Sequence, residues 1–216
     1  MKIEIVTLFP QMFEGFLAVG VLGRAVRNKK VEIKIHDMRQ WAWNNYRAVD
    51  DKPFGGGVGM VIRVDVIDKA LAKIGKKGKR IIALSAKGKG FDQETAERLV
   101  KEKSLVLVCG RYEGFDQRIL DNLVDETISG GEFVLSGGEV GAMMVVDAVV
   151  RLLPGVLGKD ESSQDESFSK KEGKREVEYG QYSRPEKYKG MSVPKVLLSG
   201  NHEEIAKWRE KNRGKV

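Results

Sequence analysis

Cysteine is almost absent: Cys109 is the only one in 216 residues. That excludes a disulfide framework within the chain and a cysteine-based zinc cluster. A reducing, cytosolic setting is the expectation. Histidine is nearly as scarce. His36 and His202 stand far apart without metal-ligand neighbours, so both are expected to be structural, and no Ser-His-Asp order emerges. Long apolar runs are missing as well. None reaches the length needed to span a bilayer, so no membrane association is expected. The opening Met1-Lys2-Ile3-Glu4-Ile5-Val6 sets charges between apolar residues and does not read as a signal peptide. Neither G-x-G-x-x-G nor a Walker A pattern occurs, which argues against a Rossmann dinucleotide site and a P-loop.

What is present suffices for one ordinary domain with a small appendage and a core that needs no staple. The chain is 41% hydrophobic and 32% charged, with a net charge of +7. The charge is uneven. Residues 179–216 hold 9 basic and 4 acidic side chains, whereas 159–178 hold 5 basic and 7 acidic ones. A basic tail points towards an anionic partner or to a solvated surface helix.

Hydrophobic periodicity gives strands at 2–6 and 31–35 and a helix over 11–27. Asp65 is expected to cap a helix that stops near Gly75. A short buried strand follows at 81–84, a helix capped by Asp92 runs to about 103, and a second buried strand lies at 105–108. A short helix over 116–123, strands at 127–128 and 133–135, and an apolar helix over 139–153 complete the pattern. Alternating strands and helices predict an α/β domain with a largely parallel sheet, ending near Gly158. Residues 159–178 read as a flexible charged linker. Residues 179–216 read as a small basic domain, with Asn201 capping a last helix that carries Ile205 and Trp208.

Three glycine-bearing loops follow predicted strands: Leu84–Gly90, Cys109–Gly114 and Ser129–Glu139. Ligands of open α/β sheets bind at such strand ends, and glycine lets backbone groups approach closely. Together they suggest a backbone-lined pocket for a small polar molecule. Asp50-Asp51 and the run Gly55-Gly56-Gly57-Val58-Gly59 suggest a mobile loop that meets a substrate. Asp147 and Arg151 share a helix face and read as an ion pair, with Arg151 also able to meet developing negative charge. Cys109 reads as a small packed residue.

Eight stretches spread in order over nearly the whole chain carry a resemblance. They are Thr7-Leu8-Phe9-Pro10, Gly23-Arg24-Ala25, Val49 to Gly57, Val108 to Gly114, Phe133 to Glu139, Arg151 to Gly158, Tyr182-Ser183-Arg184-Pro185 and Val196 to His202. They resemble the bacterial tRNA (guanine-37-N1)-methyltransferase family, the TrmD family of the SPOUT class. The resemblance implies an α/β fold in which a parallel sheet is tied in a deep trefoil knot, with a small, mainly helical C-terminal domain that ends sooner than usual. Residues 1–158 would be the catalytic, cofactor-binding domain, 159–178 the linker and 179–216 the tRNA-binding domain.

It further implies S-adenosylmethionine as cofactor, held at Leu84, Ser85 and Ala86, at Gly110, Tyr112, Glu113 and Gly114, and at Gly130, Gly131, Glu132, Phe133, Val134, Leu135, Gly137 and Gly138. Ala86 stands where many relatives carry Pro. A homodimer with its active site across the interface is implied, as is methyl transfer to N1 of guanosine 37 in tRNA. N1 carries a proton that a base must remove. The family's base is an Asp directly before Ser-Phe. Here Glu166 holds that place before Ser167-Phe168, and Asp165 is the second candidate. Arg151 matches the arginine that stabilises developing charge. Asp50, Asp51, Gly55 and Gly56 would meet the substrate, and Lys207, Arg209, Lys211 and Arg213 would bind phosphates. The family's turnover is linked to a divalent ion such as Mg2+, although no cluster here forms an evident metal site. A SPOUT enzyme acting at another RNA position and a catalytically lapsed tRNA-binding protein are the alternatives.

Overall fold

The computed structural model describes residues 1–157, 166–168, 170–171 and 174–215. The chain divides into two compact units, Met1–Leu157 and Gly158–Val216.

The first unit opens with β1 (Lys2–Thr7), a 3₁₀ turn (Pro10–Phe13), α1 (Glu14–Ala18), α2 (Gly20–Arg27) and β2 (Glu32–Asp37). The hairpin β3 (Asp50–Asp51) and β4 (Val61–Ile62) precedes α3 (Val64–Ile74), β5 (Arg80–Gly90), α4 (Gln93–Leu99) and β6 (Ser104–Cys109). Then come α5 (Gln117–Asn122), β7 (Glu126–Ser129) and α6 (Gly138–Val150). The main sheet has the order β2-β1-β6-β5-β7, and every pair in it is parallel.

Side-chain alternation along the central strands builds two cores. Ile3, Ile5, Ile82, Leu84, Leu105, Leu107 and Cys109 join residues of α2, α4 and α6 on one face. Val6, Ile81, Ala83, Val106 and Val108 join Ile67 and Leu71 of α3 and Ile119 of α5 on the other. Strands covered on both faces read as near-continuous apolar runs, which is why 81–84 and 105–108 stand out in the sequence.

Four local expectations are corrected. The single helix over 11–27 is broken at Val19, whose backbone is extended, and at Gly20, with φ +66°. Arg63, not Asp65, is the N-cap of α3, and Asp65 sits in its first turn. α4 ends at Leu99 rather than near 103. Residues 133–135 form no strand; glycines flank them on both sides, and Val134 is 92% exposed. Two expected caps do hold: the Asp92 side chain accepts from the Thr95 N–H at 2.7 Å, and α3 ends at Gly75, with φ +82°.

The second unit contains β8 (Lys170–Lys171), β9 (Lys174–Val177), β10 (Lys187–Tyr188), β11 (Met191–Ser192), α7 (Lys195–Leu198), α8 (His202–Lys211) and β12 (Gly214–Lys215). β9 pairs antiparallel with both β8 and β12. Lys170–Lys171 and Lys174–Val177 are therefore strands where a linker was expected, and the unit mixes short strand pairs with its helices. Asn201 caps α8 as expected, its side chain accepting from the N–H groups of Glu203 and Glu204.

One buried charge fastens the sheet. Glu4 on β1 lies 2.7 Å from His36 Nε2 and accepts from Lys79 Nζ at 2.7 Å. Burial alone would raise its pKa. The hydrogen bonds from Lys79 and His36 and the charges of Lys79 and Lys2 outweigh burial and lower it from 4.5 to about 2. The folded value lies below the unfolded one. The stabilisation is thus complete above about pH 4.5 and is lost as pH falls through about 2. Glu4→Gln is expected to cost about 3 kcal/mol at neutral pH. It should also flatten the loss of stability on acidification, as read from urea unfolding at a series of pH values.

Candidate active site

Three excursions leave the carboxyl ends of the neighbouring strands β5, β6 and β7. The first lies within β5 itself. Leu84 pairs with Ile128, and so does Lys89, so residues 85–88 bulge out of the ladder. A Cβ on Gly88 would fall 2.6 Å from the Ile128 backbone, so glycine is required where the bulge rejoins the sheet. The second excursion, Gly110–Phe115, carries Tyr112 with φ +59° and Gly114 with φ +106°. A bulky residue in the left-handed region is uncommon and marks a conformation its surroundings impose. The third runs from Gly130 to Gly138 and enters α6.

The three enclose a cavity of about 240 Å³ lined by residues 84–86, 110–115, 128–130, 133–138 and 141. Every cofactor position implied by the resemblance lies on this lining except Gly131 and Glu132. Gly131 lies against the Phe133 ring, with φ +153°. Arg111, Phe115, Ile128, Ser129, Ser136 and Gly141 line the cavity too, and the sequence reading gave them no part in cofactor binding.

The rim is held by a buried carboxylate that the sequence reading also missed. Glu139, 0% exposed, accepts from Thr7 Oγ1 at 2.8 Å and from Arg111 Nε at 2.9 Å. Arg111 also donates to the Ser136 carbonyl at 3.1 Å, and its guanidinium lies 4.5 Å from the Phe9 ring centre. Thr7 in turn accepts from the Phe9 N–H at 3.0 Å. Gly137 leaves room for the Arg111 side chain, and a Cβ on Gly138 would fall 2.7 Å from Gly110 N. The Gly138 N–H donates to the Gly110 carbonyl at 2.7 Å. A carboxylate in the first turn of a largely apolar helix was the available signal for this network. Cys109 is fully buried, and burial, followed by the charge of Glu139, pushes its thiol well above the ordinary range. It packs and stays protonated.

The hairpin β3–β4 leans on the second excursion. The Glu113 N–H donates to Met60 O, and the Ile62 N–H to Gly114 O, both at 2.9 Å. Gly55, Gly56 and Gly57 take φ values of +83°, +80° and +128°, a path closed to most side chains. Phe54 at the hairpin tip is 100% exposed. A second cavity of about 780 Å³ is lined by residues 51–54, 61–65 and 115–118 and shares Phe115 with the first. Asp51 lines it, whereas Asp50, Gly55 and Gly56 do not. Arg63 holds Asp51 and Asp65, each at 2.9 Å, and lies over the Trp43 ring.

Arg151 is half-buried at the C-cap of α6, where its N–H donates to the Asp147 carbonyl at 3.1 Å. Glu166 is half-buried in the second unit. The residues after it are anchored: the Ser167 N–H donates to the Glu178 carboxylate at 3.0 Å, the Glu178 N–H to Ser167 Oγ at 3.1 Å, and the Phe168 N–H to Glu176 O at 2.6 Å. Asp165 lies outside the described residues.

Lys207, Arg209 and Lys211 are exposed on α8. Arg213 departs from the expected phosphate-binding role. Its side chain is 6% exposed and faces Glu176 and Glu210, because β12 folds it back against β9. Among the described residues, no group of three or more His, Cys, Asp or Glu side chains could hold a metal ion, and no helix is long and apolar enough to cross a membrane.

Glu139→Gln would leave Arg111 without its charged partner. A loss of about 3 kcal/mol is expected, measured by urea unfolding at neutral pH. Thr7→Val, which removes the hydroxyl that donates to Glu139 and accepts from the Phe9 N–H, should cost about 1 to 2 kcal/mol.

The profile of a family described as tRNA (Guanine-1)-methyltransferase TrmD matches residues 1–215. Curated relatives named tRNA (guanine-N(1)-)-methyltransferase match along almost the whole chain. The one from Geobacillus kaustophilus is 49% identical over 213 residues, covering 98% of this chain and 86% of that protein. The one from Geotalea uraniireducens is 47% identical, covering 98% of this chain and 85% of that protein. The one from Rhodopirellula baltica is 48% identical, covering 100% and 90%.

Proposed function

This chain belongs to the tRNA (guanine-1)-methyltransferase TrmD family, and on that premise we propose that it transfers a methyl group from S-adenosylmethionine to N1 of guanosine 37 in tRNA. The observation that carries the proposal is the cavity at the carboxyl ends of β5, β6 and β7, with the β3–β4 hairpin hydrogen-bonded to its rim. Its lining suits the cofactor. Leu84, Phe133 and Leu135 offer apolar walls, and the glycine-flanked backbone of 110–114 and 130–138 offers N–H and C=O groups to a polar ligand. When bound, S-adenosylmethionine supplies an electrophilic methyl on a sulfonium. The Glu139–Arg111–Thr7 network fixes the rim before any ligand arrives.

Guanine N1 becomes nucleophilic as its proton leaves. We assign that proton to the Glu166 carboxylate, with Asp165 as the second candidate. The bonds that anchor Ser167 and Phe168 to 176–178 support Glu166, because they restrict the backbone that presents it. Arg151 at the end of α6 is the cation for charge that develops on the purine. The Asp50–Ile62 hairpin meets the nucleotide, and the exposed Lys207, Arg209 and Lys211 meet tRNA phosphates.

The fold carries, in this proposal, the trefoil knot of its class around the 130–138 excursion. The active unit is a homodimer with its site across the interface. Exposed apolar residues support the dimer: Phe9, Met12, Val19 and Val140 all lie open on the first unit. With tRNA as substrate, the enzyme works in the cytoplasm.

Methyl transfer from labelled S-adenosylmethionine tests the proposal, with two transcripts that carry guanosine or adenosine at position 37. Incorporation into the guanosine transcript alone is expected. Glu166→Gln should lower kcat by about 100-fold or more while cofactor affinity in equilibrium dialysis stays unchanged. Full turnover by this variant together with loss in Asp165→Asn would move the base to Asp165.

A further inference from the structure

The second unit contains a cavity of about 370 Å³ that the methyl-transfer chemistry does not use. Tyr179, Tyr182 and Arg209 are among its walls, and Val193, Leu197 and Ile205 give it an apolar floor. The aromatic side is braced from behind. Trp208 meets the Tyr179 ring at 6.2 Å with a 73° interplanar angle, and the Tyr182 ring at 6.3 Å with 61°. The Arg209 guanidinium lies over Tyr179, 5.1 Å from the ring centre. Tyr182 nevertheless remains 53% exposed.

A slot with phenol rings and a guanidinium plane for walls suits a flat, π-faced ligand. Proteins hold unstacked nucleobases this way, stacking them on aromatic rings or on arginine. Arg184 and Glu186 also line the cavity, and their opposite charges offset, so the feature that selects a ligand is the pair of aromatic and guanidinium faces. Gln181 and Ser183 on the same lining can donate to and accept from a base edge. Arg209 is exposed and adds to the positive field that meets tRNA phosphates, while its guanidinium plane also forms a wall of the slot. The surrounding segment 179–216, with 9 basic and 4 acidic side chains, favours a polyanionic chain that brings the base with it.

We propose that this cavity receives one unstacked nucleobase from the single-stranded anticodon loop of the tRNA. This rests on the reading of tRNA as substrate. It adds a second point of contact, one that holds the loop by stacking.

Abasic scanning of the full-length protein tests it. Single abasic nucleotides are placed in turn at each anticodon-loop position other than 37, and equilibrium affinity is measured for the wild-type protein and Tyr182→Ala. Tyr182→Ala is expected to weaken binding of the intact transcript by about 10- to 100-fold, with Tyr182→Phe close to wild type. One abasic position should weaken wild-type binding to a similar degree and cost Tyr182→Ala nothing more, since variant and lesion remove the same contact. Additive losses at every position, or no effect of Tyr182→Ala, would overturn the proposal. Should Tyr182→Ala lower the thermal midpoint, Arg209→Gln takes its place in the same scan. Failure of the wild-type protein to bind or methylate the intact transcript would overturn the tRNA reading itself, a result distinct from these.

Discussion

A single carboxylate without solvent access joins three distant parts of this chain. Glu139 opens α6, Arg111 lies just beyond β6, and Thr7 ends β1. A carboxylate at 0% exposure is tolerable only if paired and hydrogen-bonded, so each partner is bound to the others' positions. The same contact sets the two glycine-rich rims against each other. Gly137 and Gly138 are small because Arg111 and the end of β6 occupy the space their side chains would take. Cavity shape and fold stability therefore rest on the same atoms.

Much of the fold was legible because its cues are local. Strands covered on both faces leave runs such as Leu105 to Val108, and Asp92 and Asn201 announce helix starts by chemistry alone. The glycine loops also announced themselves, since a glycine at each strand end fits a ligand-lined sheet edge. What escaped depends on partners far away in sequence. The Arg111–Glu139 pair spans 28 residues and Thr7–Glu139 spans 132, and no periodicity records either. The extension of β5 to Gly90 was hidden because its bulge looks like a loop from composition. The strand expected at 133–135 failed for the opposite reason: Phe133-Val134-Leu135 has strand-like residues but no neighbouring strand to pair with.

The charged second unit shows how composition misleads in both directions. Residues 174–177 are polar enough to read as linker, yet they gain order by pairing with Gly214-Lys215. Arg213 is basic and near the end of the chain, yet it faces Glu176 and Glu210. Charge counts describe a segment's field; they do not say which cations face outwards. Arg209 is exposed and also bound to a tyrosine face, so one side chain serves both the field and the slot.

The sheet order carries a consequence for biosynthesis. β1 is the first strand to leave the ribosome, yet its two neighbours are β2 and β6. One of its edges is covered early, by residues 32–37. The other stays unpaired until residues 104–108 have been made. An open, apolar strand edge is a template for wrong pairing, and its exposure lasts for the translation of nearly half the chain. Glu4, a charge in the middle of that strand, gives the nascent edge a polar interruption during that interval, before Lys79 arrives to neutralise it in the folded sheet.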